Sequence, residues 1–280
     1  MSIFLGLLVG FGALRLLMLA VPDLMHSPAL ARSNYRGQTV VTAGGLLIVV
    51  AVVLVDGARV GLGGLGVGKE PGLNGTRPLV LFTCVGFCLL GLLDDVLANG
   101  EEGGFGGHIR ALTRGRVTSG FVKLVCGGAL ALVIGAAPGP EGGGRLFVDA
   151  ALIALAANLA NLLDRAPGRT LKVGVVAWIP LAFIAANDSL GIAIAPVIGA
   201  FLAIAPDDLG ERIMLGDAGA NVLGAVLGLA VVLETGPTAR LVIAVVLLAL
   251  NAASEWVSFG EVIERVPFLR SLDQFGRREV

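Results

Sequence analysis

Asp94 and Asp95 close an apolar run, Pro78 to Leu93, that is long enough to cross most of a bilayer. Adjacent carboxylates at the end of such a run are costly unless they have a task. The pattern of an apolar run followed by polar residues recurs three times: at Asn158, Asn161 and Asp164; at Gly216-Asp217-Ala-Gly219; and at Ser254-Glu255. Carboxylate and amide oxygens are the ligands that hard divalent cations take, usually together with substrate phosphates. Neighbouring helical residues diverge by about 100°, so Asp94 and Asp95 can serve one ligand only at a helix end, which is where they stand. Asn158, Asn161 and Asp164 fall within an arc of about 120° and make a polar stripe down one helix face. Arg165, Gly168, Arg169 and Lys172 follow as a compact basic loop suited to phosphate. Each feature has a plainer explanation: a collar at the water boundary, amide bonds between helices, or small residues packing at a helix start. Taken together they favour a metal-bound polyphosphate on one membrane face. Transporter carboxylates tend instead to lie near the midplane.

The elements that position these residues are apolar helices. Of 280 residues 56% are hydrophobic and only 15% charged, with a mean hydropathy of +0.89, whereas a soluble domain carries about 25% charge. The composition predicts an all-α, polytopic integral membrane protein, a single transmembrane domain over 1–280 with about nine transmembrane helices. The spans are expected near Ser2–Val21, Val41–Val60, Pro78–Ala98, Phe121–Ala137, Leu146–Leu163, Val173–Ala186, Leu190–Ala205, Ala218–Leu233 and Leu241–Val257. The sixth and seventh are parted only by Asn187-Asp188-Ser189 and read as a tight hairpin or one broken unit. The first lacks a basic leader segment and reads as an uncleaved span.

Basic residues set the orientation. With the N-terminus outside, the inner loops and helix ends hold fourteen Lys and Arg residues and the outer loops five, with Arg15 inside the first span. This places Asp94, Asp95, Asp164 and Asp217 on the cytoplasmic side of a multi-pass plasma-membrane protein. A net charge of −1 gives no reason to expect nucleic acid. Cys84, Cys88 and Cys126 read as small core residues, and two histidines, His26 and His108, exclude a multi-histidine metal site. The loop 99–120 predicts a short basic interfacial helix near His108–Arg116, and Pro267-Phe268-Leu269 is expected at the headgroups.

The order and spacing of these motifs resembles the polyprenyl-phosphate N-acetylhexosamine-1-phosphate transferase family, which includes the phospho-N-acetylmuramoyl-pentapeptide transferases. Thr42-Ala43-Gly44-Gly45 is similar to the family's Met-Gly-Gly entry to the second span. Gly91 to Asp95 resembles its Asp-Asp motif, with Lys123 in the place of a following lysine. Asn158 to Asp164 resembles Asn-x-x-Asn-x-x-Asp, and Met214 to Gly224 resembles Gly-Asp-x-Gly-Ser with Ala220 at the serine.

The resemblance implies transfer of a sugar 1-phosphate from a UDP-sugar to a polyprenyl phosphate, with release of UMP, in cell-envelope glycan synthesis. It implies Asp94, Asp95 and Asp217 as the catalytic group, with Mg²⁺ held mainly by Asp217 and one of the pair, assigned to Asp95. Lys123, Asn158, Asn161, Asp164, Arg169 and Lys172 are the substrate-binding set. A homodimer is left open. Two departures stand out. Pro167 occupies the place of the family's second Asp, and the late histidine-rich box is missing from Ser254 to Glu261; His108 reads first as an interfacial loop residue and only second as a partial substitute. The alternative is a catalytically silent relative that binds polyprenyl phosphate or regulates an envelope enzyme. A secondary transporter is the other rival.

Overall fold

The computed structural model describes residues 2–23, 27–34, 36–42, 44–68, 75–97, 113–115, 118–139 and 144–278. The chain is 77% helical and 3% strand, which makes the class all-α. Among the described residues are nine helices of 17 to 22 residues: α1 (Ile3–Ala20), α2 (Gly44–Gly64), α3 (Thr76–Leu97), α4 (Ser119–Gly135), α5 (Arg145–Leu163), α6 (Arg169–Ala185), α7 (Ser189–Leu209), α8 (Gly216–Glu234) and α9 (Pro237–Ala253). Two short helices, α10 (Phe259–Arg265) and α11 (Pro267–Gln274), end the described chain. Each expected span coincides with one of the nine long helices. Six of them, α1, α2, α3, α5, α7 and α8, are long and apolar enough to cross a membrane. α4 and α9 are apolar but shorter, and α6 carries Pro180 within its 17 residues. By length and composition the described residues thus hold six helices that could cross, and a nine-span topology goes beyond them.

The segment left open between α6 and α7 resolves into two separate helices. Ala186 turns the chain with a positive φ of 44°. Asp188 then caps α7 by accepting from the Gly191 amide at 2.7 Å. α7 and α8 are buried along most of their length and form the centre. Around them α1, α2, α6 and α9 turn apolar side chains outward, among them Phe4, Leu54, Phe183 and Leu248. In water such a surface would be a liability; against lipid it is the required one. Cys84 and Cys88 lie in the core as expected, while Cys126 is exposed.

A small antiparallel hairpin, β1 (Ala31–Ser33) and β2 (Thr39–Val41), precedes α2. Nothing in the hydropathy pattern announces it. Val41 continues it into a bridge with Ile213, and the Val41 carbonyl accepts from the Met214 amide at 2.9 Å. The hairpin thus fastens the segment that leads into α8.

The predicted basic helix around His108 lies almost wholly outside the described residues. The C-terminal tail is described, and it folds back on the body. Arg169 donates from Nε and Nη2 to the two carboxylate oxygens of Asp273 at 2.8 and 2.9 Å. Arg277 stands 2.6 Å from the same carboxylate, and Lys172 donates to the Asp273 carbonyl at 2.6 Å. Burial acts to raise the Asp273 carboxyl, but the Arg169 and Arg277 guanidiniums outweigh it and hold it below its usual range. The contribution of this clamp is therefore full above the unfolded carboxyl value of about 3.9 and disappears as pH falls through the lower folded value. Amide exchange in α11, corrected for intrinsic rates, should rise only below about pH 4. Asp273→Asn should show that raised exchange already at neutral pH; unchanged protection there would show that the clamp does not hold the tail.

Candidate active site

The site begins with a helix that cannot cap itself. α8 starts after Leu215, whose side chain offers no acceptor. Asp95, from the last turn of α3, supplies both: Oδ1 accepts from the Asp217 amide at 3.2 Å and Oδ2 from the Ala218 amide at 3.1 Å. A carboxylate is the preferred partner for those amides because the helix start carries partial positive charge. The approach needs glycine at two places. A Cβ on Gly91 would lie 2.3 Å from the Asp217 carbonyl oxygen, and one on Gly45 would lie 2.0 Å from the Gly219 nitrogen. α2 and α3 thereby press their backbones against the first turn of α8. Hydrogen bonds from the Gly44 and Gly45 amides to the Met214 and Leu215 carbonyls, 3.1 and 2.9 Å, fix the register.

Lys123, near the start of α4, reaches into this junction. Its ammonium donates to Asp94 Oδ2 at 3.0 Å and to Asp217 Oδ2. Asn161 of α5 donates from Nδ2 to the same Asp217 oxygen at 3.2 Å. Residues of α3, α4 and α5 thus meet around Asp217 at the start of α8. The Lys123, Asp94 and Asp217 side chains retain 17%, 18% and 27% of their exposure, so the cluster is open to a ligand. Asp164 follows α5 on the same side. Burial first, then the carboxylates of Asp208, Asp217 and Asp95, push it well above its usual value.

Other expected site residues are placed elsewhere. Asn158 donates to Asn251 Oδ1 of α9 at 2.7 Å, and Asn251 donates onward to the Leu155 and Leu247 carbonyls. This is the plain interhelical amide bond, one helical turn from the carboxylates. Arg169 and Lys172 face the C-terminal tail, and Arg169 is buried against Asp273. The loop before α6 ends in Gly168, with a φ of 69°.

Among the described residues no three His, Cys, Asp or Glu side chains are arranged to hold a metal ion. The geometry gives the reason: Asp95 is turned to the amides of α8, and the Lys123 ammonium stands between Asp94 and Asp217. The donor set nonetheless fits magnesium. Oxygen ligands are in excess over the one ammonium, and one or two carboxylates suffice where phosphates complete the shell. Asp94 and Asp217 are better placed for that role than Asp95, which acts as the cap.

Several residues that build the site lay outside the expected set. Arg32 of β1 donates to the Asp95 carbonyl, from Nε at 2.8 Å, and so holds the end of α3. Asp208 bonds the amides of Gly168 and Leu215. It is a polar residue near the end of an apolar run, the same signal that marks Asp94 and Asn161. A comparison with protein-family models gives no match, and a comparison with curated proteins gives none either.

Proposed function

We propose that this chain transfers a sugar 1-phosphate from a UDP-sugar to a polyprenyl phosphate, releasing UMP, on the cytoplasmic face of the plasma membrane. The observation that supports the reading is convergence. Asp95 and Asp217 are 122 positions apart yet are joined by a hydrogen bond, and Asp94, Lys123 and Asn161 meet at the same point. Phosphoryl transfer asks mainly for positioning and for neutralisation of charge, and this cluster offers both.

The second ionisation of a phosphate monoester lies near 6, so the lipid phosphate is already largely dianionic at neutral pH. In direct attack its oxygen bonds to the β-phosphorus of the UDP-sugar, the bond from that phosphorus to the bridging oxygen breaks, and UMP leaves with the electron pair. Asp94 orients the lipid phosphate or takes its last proton. Lys123 carries positive charge between Asp94 and Asp217, where phosphoryl oxygens are to lie. Asn161 keeps Asp217 in one rotamer, and Asp95 fixes the first turn of α8. Bound magnesium, on Asp217 with Asp94, would neutralise charge on the pyrophosphate. A covalent aspartyl-phosphate route uses the same residues and stays open.

The deciding experiment is UMP release by purified protein with Mg²⁺, polyprenyl phosphate and a panel of nucleotide sugars. Lys123→Gln should lower kcat by about 10² to 10³, the cost typical of removing one charge-stabilising group; an unchanged rate would remove Lys123 from the site. Two observations favour the second reading, a silent relative that binds the lipid phosphate. Pro167 replaces a family carboxylate, and Arg169 and Lys172 are committed to the tail. That reading predicts saturable binding of polyprenyl phosphate with no UMP from any donor. Substrate flux into liposomes without UMP would instead support a transporter.

A further inference from the structure

Asp208 sits in the last turn of α7 and is 5% exposed. Its two oxygens reach different segments of chain. Oδ2 accepts from the Gly168 amide at 2.6 Å, and Oδ1 accepts from the Leu215 amide at 3.2 Å. Gly168 ends the loop that begins at Asp164, and Leu215 stands two residues before Asp217. One buried carboxylate therefore ties the loop after α5 to the segment that enters α8.

The surroundings make this tie rigid. A Cβ on Gly168 would fall 2.2 Å from the Leu209 side chain, so the loop rests directly on the end of α7. The adjacent Asp207 accepts from Arg15 of α1 at 2.6 Å and from Arg212 at 2.8 Å. The end of α7 is thus anchored on one side to α1 and on the other to both site loops.

We infer that Asp208 is a positioning residue which sets the placement of Asp164 relative to Asp217, without itself touching the reacting groups. This rests on the transferase reading for its catalytic consequence, but the strut itself does not. An amide at this position has only one oxygen with which to accept, and its NH₂ opposes the second backbone donor. Glutamate keeps both acceptor oxygens and the charge on a longer arm.

The test compares Asp208→Asn with Asp208→Glu in full-length protein in nanodiscs, by site-resolved amide exchange and by UMP release. In Asp208→Asn, exchange at Gly168 or Leu215 should accelerate at least tenfold while amides in the middle of α8 keep their protection. Turnover should fall about 10²-fold with KM for the UDP-sugar changed less than threefold. Asp208→Glu should recover at least part of both losses. Equal losses in the two variants, accelerated exchange throughout α8, or unchanged exchange at both amides would overturn the assignment. Absence of UMP release by the unaltered protein would defeat the transferase reading, while the exchange measurement would still decide the strut.

Discussion

Asp217→Asn should abolish UMP release while leaving the helical bundle folded. Asp217 is the point where the motifs meet: its Oδ2 accepts from both Lys123 and Asn161. The amide is nearly the same size, so packing around α8 is retained. Its charge is lost, and among the described residues Lys123 keeps only Asp94 as a counterion. The fall in kcat should be about 10³-fold or more, the upper range for removing one group that acts on developing charge. Thermal unfolding in detergent should move by no more than a few degrees. Wild-type turnover in Asp217→Asn would defeat the assignment of the site, whatever the overall function.

Gly91→Ala should be nearly as damaging, for a different reason. The new Cβ would lie 2.3, 2.4 and 2.5 Å from the Asp217 oxygen, the Asp217 carbonyl carbon and the Ala218 Cα. All three are backbone atoms and none can rotate aside. α3 must therefore move away from α8, which costs about 1–3 kcal/mol as overpacking does elsewhere. The same movement withdraws Asp95 from the Asp217 and Ala218 amides and Asp94 from Lys123. A displacement of about 1 Å at reacting groups is enough for a 10²-fold loss of rate. Gly128→Ala provides the control, since a Cβ there meets nothing within 4 Å. Melting temperature and UMP release should both fall in Gly91→Ala and stay put in Gly128→Ala. Equal behaviour of the two would show that the contact between α3 and α8 does not hold the site.

Much of this architecture could be read from the residues in order. Apolar runs marked every long helix to within a few positions, because burying backbone away from water leaves a helix little alternative. Asp94, Asp95, Asp164 and Asp217 are legible because charge at the edge of an apolar run is expensive, and Asn161 because an amide there needs a partner. Arg169 and Lys172 carry a local signal too, but the tail that engages them is not part of it. A basic loop looks the same whether it awaits a phosphate or a carboxylate from its own tail. Asp273, 104 positions away from Arg169, decided between them.

By itself the order of residues determined a helical protein suited to a bilayer and a set of carboxylates at helix ends. Both follow from local cost: hydropathy and isolated charge are properties of a short stretch. Which carboxylate caps a helix and which faces the ammonium was decided only in three dimensions. Asp94 and Asp95 are neighbours with the same side chain, and no local rule separates them. The separation comes from Gly91 and Gly45, which let α3 and α2 close on α8 and turn Asp95 to its amides while Asp94 remains with Lys123.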